Sequence, residues 1–266
     1  MFKYFILFLS MALILGCGAT EFSPNQKFSS SSPVNVNASQ IARLAEKQAG
    51  PTIRIAVSSD THTDYTDSKA FVDYVNAAGD FDFVMLNGDL TNFGLLTEFE
   101  GIQEIYAGLK IPFITVIGNH DENAQGVATY KRMFGETNFT FTYGGVKFVC
   151  HDANSREHKF DGTAPDLGWL QNNLSLEAAD QHIVAFSHVP PIDADFDQNL
   201  RDSYERLLNN TPGMLASIHS HRHSVDSVYT VNGTGIPFIT TNTILNRTFT
   251  AVEISNAQIK SHPVTF

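Results

Sequence analysis

Short runs of apolar residues alternate with stretches of helical spacing over most of the chain. The apolar runs, which are rich in β-branched and aromatic residues, predict strands near residues 52–58, 81–86, 111–117, 139–143, 146–151, 181–187 and 214–219. Helical spacing predicts helices near residues 67–78, 94–108, 124–134, 166–175 and 198–209. The alternation of strand, helix and strand in the first half is typical of βαβ units with largely parallel strands.

The C-terminal part of the chain follows a different pattern. Residues 225–266 contain short strand-like runs separated by turn residues, namely SVYTVNG, GIPFITTN, RTFTAVEIS and AQIKSHPV. Gly144 and Gly145 separate two further strand-like runs, which is a hairpin signal. Together these patterns predict an α/β fold with two packed mixed β-sheets flanked by helices, in four layers (αββα). A helical stretch at 37–50 begins the domain, which we expect to span residues 37–266.

The length and charge of the chain limit its architecture and its partners. At 266 residues and 42% hydrophobic composition, it can bury one substantial core. The formal net charge of −11 argues against nucleic acid as an obligatory partner, because such binding depends on basic residues that neutralise phosphates. A small anionic substrate is still compatible with this net charge, because bound divalent cations would reverse the local potential. The oligomeric state is left open.

The first residues have the pattern of a targeting segment. Lys3 precedes an apolar stretch at 5–14, which is too short for a comfortable membrane span. The run ILGC, which ends at Cys17, resembles the lipobox of bacterial lipoproteins. It predicts a signal peptide at 1–16 and a lipid on the sulfur of Cys17.

Residues 17–36 contain the run SSSSP and few apolar side chains, which indicates a flexible tether. We therefore expect a protein of the bacterial cell envelope that is anchored in the membrane through the lipid on Cys17. Gly18, where inner-membrane lipoproteins have Asp, favours the outer membrane if the source has one. The alternatives are an uncleaved anchor and an ordinary signal peptide, the latter giving a secreted or periplasmic protein.

Side chains with metal-ligating chemistry follow five of the strand-like runs. They are Asp60, His62, Asp89, Asn119, His120, His188, His221 and His223. A buried strand needs none of them for packing, whereas a metal site at the carboxyl ends of several strands needs them. Carboxylate, imidazole and amide donors suit manganese, iron or zinc, and without cysteine they do not resemble a closed structural zinc site. Cys150, in the apolar run VKFVC, is interpreted as a buried small hydrophobe.

Each of these blocks has an ordinary structural interpretation when it is taken alone. Asp60 and His62 could form a turn and a helix cap, and the two glycine-containing blocks are common turn chemistry. His188 could be a packed loop histidine, and the run with His221 and His223 could be a surface tract. All of these interpretations would have to hold together to remove the site, so the ordered series favours a metal centre.

In this order the blocks resemble the calcineurin-like metallophosphoesterases, whose pattern runs D-x-H, G-D, G-N-H-[DE], H and G-H-x-H. Here they stand as Asp60-Thr61-His62, Gly88-Asp89, Gly118-Asn119-His120-Asp121, His188 and Ser220-His221-Arg222-His223. The resemblance covers roughly residues 52–256. Ser220 stands where the family usually has Gly, which we expect to cost some backbone freedom without removing a ligand.

The resemblance implies a centre of two divalent metal ions. One ion would be bound by Asp60, His62 and His223, the other by Asn119, His188 and His221, with Asp89 bridging both. Purple acid phosphatases of this fold have a tyrosine ligand just after the G-D block, whereas LTN follows Asp89 here. This departure favours two divalent ions, such as manganese, iron or zinc, over a ferric ion held by tyrosinate.

The resemblance also implies hydrolysis of phosphate esters through attack by a hydroxide that bridges the ions. Asn119 would bind metal and orient the phosphate, His120 would stabilise charge or protonate the leaving oxygen, and Asp121 would fix the His120 ring. The loops 151–165 and 190–203 carry no basic cluster, which slightly favours a phosphodiester or broad specificity. The alternative is a catalytically inactive envelope lipoprotein that binds a metal or another ligand.

Overall fold

Two mixed β-sheets form the centre of the computed structural model, which describes residues 27–223 and 226–266. The strands are β1 (Ile53–Ser58), β2 (Phe83–Asn87), β3 (Phe113–Val116), β4 (Phe139–Tyr143), β5 (Val146–Cys150), β6 (His182–Phe186), β7 (Met214–His219), β8 (Ser227–Tyr229), β9 (Phe238–Thr240), β10 (Thr248–Ser255) and β11 (Gln258–Thr265). One sheet has the order β11-β10-β1-β2-β3 and the other β4-β5-β6-β7-β9-β8.

Six α-helices accompany these strands in the described part of the chain. They are α1 (Val36–Ala45), α2 (Tyr65–Ala78), α3 (Leu96–Tyr106), α4 (Gly126–Met133), α5 (Leu167–Asn173) and α6 (Gln198–Asn209). Short 3-10 turns lie at His120–Glu122, Val231–Gly233 and Ile244–Asn246. The helices and strands match the sequence predictions within a few residues. The helix predicted at 37–50 is shorter, because it ends at Ala45 and does not reach Gly50.

The alternation of side chains along β2 shows how the layers form. Phe83 and Met85 point into the core between the two sheets, whereas Val84 and Leu86 point into the core beneath α2, α3 and α4. A strand covered on both faces must be apolar throughout, and all five residues of β2 are buried. The rings of Phe83 and Phe148 meet edge to face between the sheets, with centroids 5.4 Å apart.

A third core cluster covers the outer face of the second sheet. Leu170 of α5 and Tyr204 and Leu208 of α6 pack there on Ile183 and Ala185 of β6. Helices therefore lie outside both sheets, which confirms the predicted four-layer αββα architecture.

The direction of the central strands decides where the polar blocks lie. Strands β1, β2 and β3 are parallel to one another, as are β5, β6, β7 and β9. The carboxyl ends of parallel strands share one edge of a sheet, so the segments that follow them are brought together. Asn87 at the end of β2 reaches across to the other sheet, where its amide donates to the carbonyl of Ser187 at 3.0 Å. The blocks of both sheets thus meet at one end of the sandwich.

Part of the predicted tether lies against the domain. Ser32 is buried and donates a hydrogen bond to Glu100, and the guanidinium of Arg132 lies 4.0 Å from the ring centroid of Phe28. The prediction of a flexible tether is therefore wrong for residues 27–35, because these contacts fix them on α3 and α4. The predicted signal peptide, Cys17 and the rest of the tether lie outside the described residues.

Candidate metal centre

The predicted ligands converge at the carboxyl end of the central strands, in two groups that share Asp89. Asp60, His62, Asp89 and His223 form one group, and Asp89, His188 and His221 form the other. Within each group the candidate donor atoms lie within 4.8 Å of one another. The family resemblance implied that Asp89 bridges the two ions, and the structure places its side chain where the two groups meet.

The individual distances show how close the two groups are. The Nε2 atom of His223 lies 3.2 Å from Asp60 Oδ1 and 3.1 Å from Nε2 of His62. In the second group, Nε2 of His188 lies 3.2 Å from Asp89 Oδ2.

Asn119 joins the second group through His221. Its Oδ1 atom lies 3.0 Å from Nδ1 of His221, so the amide oxygen and this ring nitrogen are neighbours in the site. Asn119 is only 2% exposed. All seven residues that the sequence predicted as ligands therefore lie together.

Backbone conformation explains how the loops turn the ligands inward. Asp60, Asp89 and His221 all have positive φ, at 52°, 54° and 71°, a region that costs non-glycine residues energy. Gly88 has φ of 93°, and a Cβ there would lie 2.3 Å from Nδ1 of His188. Glycine is therefore required, because the backbone at this position passes directly against a ligand ring.

Several buried donor atoms at the centre lack a hydrogen-bond partner within the described residues. They are both carboxylate oxygens of Asp60, Oδ2 of Asp89, Nδ1 of His62 and Nε2 of His188. A buried carboxylate without a partner is costly, and Nε2 of His188 lies only 3.2 Å from Asp89 Oδ2 without hydrogen-bond geometry. Such an arrangement fits atoms that share a cation between them, and the oxygen and imidazole donors suit a divalent metal.

The charges of the site also favour a bound cation. Burial by itself would lower the pKa of His188, but the neighbouring Asp89 and Asp60 raise it to about 10. Burial would likewise raise the pKa of Asp89, yet His188 and His62 hold it well below its usual range. A proton on His188 thus compensates the carboxylates in the protein alone. A bound cation would provide this compensation directly and displace the proton.

The ring of His188 is held in the orientation that metal binding requires. Its Nδ1 donates to the backbone carbonyl of Asn87 at 2.7 Å, which leaves Nε2 facing Asp89.

The side-chain amide of Asn87 donates to the hydroxyl of Ser220 at 2.8 Å. Ser220 is fully buried and also contacts the hydroxyl of Thr241 at 2.9 Å.

The expected loss of backbone freedom at Ser220 is not observed. Ser220 does not adopt a positive φ, so the position does not require glycine. Its hydroxyl instead links the ends of β2 and β9 through Asn87 and Thr241. The departure from the family pattern therefore adds a contact behind the site.

His120 lies beside the first group of ligands. Its ring meets that of His62 edge to face with centroids 4.6 Å apart, and its backbone N–H donates to Asp89 Oδ1 at 2.8 Å. The Nδ1 atom of His120 donates to the backbone carbonyl of Asn92 at 3.0 Å. His120 therefore lies at the site without taking a place among the close ligand contacts.

The prediction that Asp121 fixes the His120 ring is wrong. The carboxylate of Asp121 accepts hydrogen bonds from the backbone N–H groups of Leu90, Thr91 and Gly118, and from the Thr91 hydroxyl. It therefore holds together the loops that carry Asp89 and Asn119, and it turns away from His120. Burial, followed by the charge of Asp89, raises the pKa of Asp121 to about 7.

The loop at 151–165 is anchored beside the site. Nε2 of His158 lies 3.4 Å from Glu122 and 3.3 Å from Asp152. Hydrogen bonds that the ring donates to Asp152 and Glu122 raise the pKa of His158 to about 10, and these contacts tie the loop to the 3-10 turn after Asn119. Sequence reasoning missed this cluster because its members are far apart in the chain and match no pattern.

Two further residues near the ligands were not predicted. The backbone carbonyl of Asn92 orients His120. Every residue has such a carbonyl, so the sequence gives no sign of this contact. Asp195, in the loop after β6, has a carboxylate oxygen 3.2 Å from Nε2 of His221. The spacing of Asp193 and Asp195 in the run DAD was a possible signal, but acidic residues in surface loops are common.

Comparison with known proteins identifies the family. A family model described as calcineurin-like phosphoesterase matches residues 53–225, which is well over half of the chain. The chain therefore belongs to the calcineurin-like phosphoesterases.

Two relatives carry names that describe diester hydrolysis. A probable glycerophosphodiester phosphodiesterase of Arcobacter nitrofigilis is 28% identical over 163 residues, which covers 55% of this chain and 58% of the relative. A probable cyclic nucleotide phosphodiesterase of Rhodopseudomonas palustris is 27% identical over 122 residues, covering 43% of this chain and 44% of the relative. The chain thus spans about half of the length of these relatives.

Solved structures share the fold at low sequence identity. A dimetal phosphatase from Danio rerio has a TM-score of 0.60 at 11% identity, covering 80% of this chain and 99% of that one. A purple acid phosphatase from yellow lupin seeds has a TM-score of 0.58 at 12% identity, covering 82% of this chain and 52% of that one. These likenesses confirm the architecture.

Substitution of the shared ligand tests the centre. We expect Asp89→Asn to weaken binding of both ions, because the amide keeps the size of the side chain and removes the charge that both groups share. Titration of the metal-free chain with Mn²⁺, followed by calorimetry, measures this. Asp197→Asn is the matched control, because buried Asp197 caps α6 and Asn caps a helix equally well.

Two outcomes would contradict this account. If Asp89→Asn bound two ions as tightly as the wild type, Asp89 would not be the shared ligand. Fewer than about one ion per wild-type chain after reconstitution would favour a ligand-binding protein without a dinuclear centre.

Proposed function

We propose that this protein hydrolyses phosphate esters with two divalent metal ions held at the carboxyl end of its central strands. The observation that carries the proposal is the pair of ligand groups joined at Asp89, in which both oxygens of Asp60 and Oδ2 of Asp89 are buried without a hydrogen-bond partner among the described residues. Two ions so placed would supply an activated water and positive charge for the phosphoryl oxygens. The family membership and the names of the relatives support the same chemistry.

The residues of the chain would orient the substrate and move one proton. Asn119 holds its amide at the second ligand group, where its N–H can face a phosphoryl oxygen. His120 donates from Nδ1 to the Asn92 carbonyl, so in the imidazolium form Nε2 carries the second proton. This proton can pass to the oxygen of the leaving alcohol as the bond to phosphorus breaks.

The charge around the site favours a phosphodiester. Two arginines beside the predicted ligands are paired with carboxylates, since Arg156 pairs with Glu157 and Asp195, and Arg222 lies 3.6 Å from Asp193. A monoester dianion gains more from an unpaired cation than a diester, which carries one negative charge. The names of the two relatives also describe phosphodiesterases. A small diester is therefore the substrate class that we propose.

Two substrates with the same leaving group test this choice. We expect the wild-type protein to hydrolyse bis(4-nitrophenyl) phosphate with a higher kcat/KM than 4-nitrophenyl phosphate, at each of several metal loadings. The shared nitrophenolate means that the difference reports on the phosphate charge. A higher kcat/KM for the monoester would overturn the diester assignment and leave a phosphatase.

The role of His120 is tested by a variant that spares the ligands. On a diester whose leaving group is an alkyl alcohol, we expect His120→Ala to lower kcat by about 10²–10⁴-fold, because the leaving alcohol loses its proton donor. Metal content should stay at the wild-type value. His262→Ala, which changes an exposed histidine on β11, is the control and should keep full turnover. Full turnover of His120→Ala on every active substrate would show that the assignment is wrong.

We also propose that the enzyme is anchored to the envelope membrane through a lipid on Cys17, as the run ILGC indicates. We expect Cys17→Ser to lose incorporation of labelled palmitate and to leave the membrane fraction, because the acyl chains supply the anchoring energy. The chain has one other cysteine, and Cys150→Ala should keep the label. Equal labelling of Cys17→Ser and the wild type would rule out this anchor.

A further inference from the structure

His221 has both ring nitrogens engaged, and they face different groups. Its Nδ1 lies 3.0 Å from Oδ1 of Asn119, inside the second ligand group. Its Nε2 lies on the other side of the ring, 3.2 Å from Asp195 Oδ2 and 3.7 Å from Asp193 Oδ1. One edge of the imidazole thus faces the metal centre and the other faces a loop.

The chemistry of imidazole decides what these two contacts can be. A neutral ring has one nitrogen with a free electron pair and one nitrogen that carries a proton. If Nδ1 binds an ion beside Asn119, Nε2 must carry the proton and needs an acceptor. Asp195 provides a carboxylate oxygen within reach of this proton. The three residues Asp193, Asp195 and His221 could also surround a third ion, but such an ion would require a ring that has lost both protons.

The loop holds Asp195 firmly in this position. Its carbonyl accepts a hydrogen bond from the backbone N–H of Arg156 at 3.1 Å, and its carboxylate pairs with the Arg156 guanidinium. Its own N–H donates to Asp193 Oδ1 at 3.1 Å. The next residue, Phe196, is fully buried, and Asp197 caps α6. Asp195 is therefore fixed before any ion binds.

We propose that Asp195 is a positioning residue that holds His221 with Nδ1 facing the second metal ion. The inference rests on the dinuclear centre proposed above. A carboxylate at the outer nitrogen selects the ring tautomer, prevents the ring from turning over and makes Nδ1 a stronger donor. The loop after β6 thus acts on metal affinity although none of its residues belongs to the predicted ligand set.

Metal titration tests the proposal without using activity. The metal-free full chain is titrated with Mn²⁺, and the two dissociation constants are measured by calorimetry. Asp195→Ala should weaken one of the two constants by about 10–100-fold and leave the other close to its wild-type value. Asp195→Asn should weaken binding of the same ion by a smaller factor, because its amide oxygen can still accept a hydrogen bond from Nε2.

Two control variants separate positioning from charge and from loop structure. Asp193→Asn removes one negative charge beside His221 but keeps the oxygen that accepts from Asp195. Arg156→Gln removes the partner of Asp195 and leaves its carboxylate beside His221. Both should keep the two constants close to the wild-type values, because the two backbone hydrogen bonds that hold Asp195 remain in each variant. If Asp195→Ala does not fold, as judged by thermal melting, the comparison of Asp195→Asn with Asp193→Asn carries the test.

The other outcomes overturn the proposal in distinguishable ways. If the folded Asp195→Ala variant bound both ions with wild-type dissociation constants, Asp195 would not be a positioning residue. The proposed function would not be affected by this result. Likewise, if Asp195→Ala does not fold, equal constants in Asp195→Asn and Asp193→Asn would overturn the positioning role. Binding of three ions by the wild type and two by Asp195→Ala would replace it with a third metal site. Failure of the wild type to bind two ions would overturn the proposed function and this inference together.

Discussion

The buried carboxylates of Asp60 and Asp89 set the constraint that the rest of the site has to meet. Both side chains are essentially inaccessible to solvent, and three of their four oxygens lack a hydrogen-bond partner among the described residues. Removing an ionised carboxylate from water costs several kcal/mol unless positive charge or hydrogen bonds compensate it. The histidines around them provide this compensation only as protons bind. The site without metal therefore depends on protons bound to its histidines, and a bound cation would replace these protons.

Backbone strain and tight packing follow from the same constraint. Five of the seven predicted ligands occupy positive φ, and Gly88 passes so close to His188 that no side chain would fit. Such conformations persist only where the surroundings hold them in place. Here the two sheets and their aromatic core provide a rigid platform, and Asp121 ties the loops after β2 and β3 together by four hydrogen bonds. The core therefore contributes to function by keeping costly loop geometry in place.

The sequence indicated which side chains meet at the candidate centre because their chemistry is unusual at strand ends. Asp60, Asp89 and His188 follow apolar runs where packing needs no polar side chain, so their identity alone carried the information. The sheets were predictable for a similar reason, since strands covered on both faces must be apolar throughout.

Orientation within the site could not be predicted in this way. Asp121 was expected to contact His120 because the two are adjacent in sequence, but adjacent residues in a 3-10 turn point in different directions. The carbonyl of Asn92 took that role, and every residue has a carbonyl. The position of Asp195 beside His221 depends on the path of the loop after β6, which no local sequence pattern predicts. Sequence thus indicates which side chains are present at the site, whereas the hydrogen bonds that aim them depend on tertiary structure.

The distribution of charge is compatible with the proposed action of an acidic protein on an anionic ester. The net charge of −11 is spread over the chain, but the charge that a substrate meets is set by the metal centre and its neighbours. Asp193 and Asp195 neutralise Arg222 and Arg156, so these arginines add little positive potential beyond that of the ions. The same acidic pair faces the outer nitrogen of His221. One short loop therefore carries both the carboxylates that neutralise these arginines and Asp195, the carboxylate that we propose to hold His221 for metal binding.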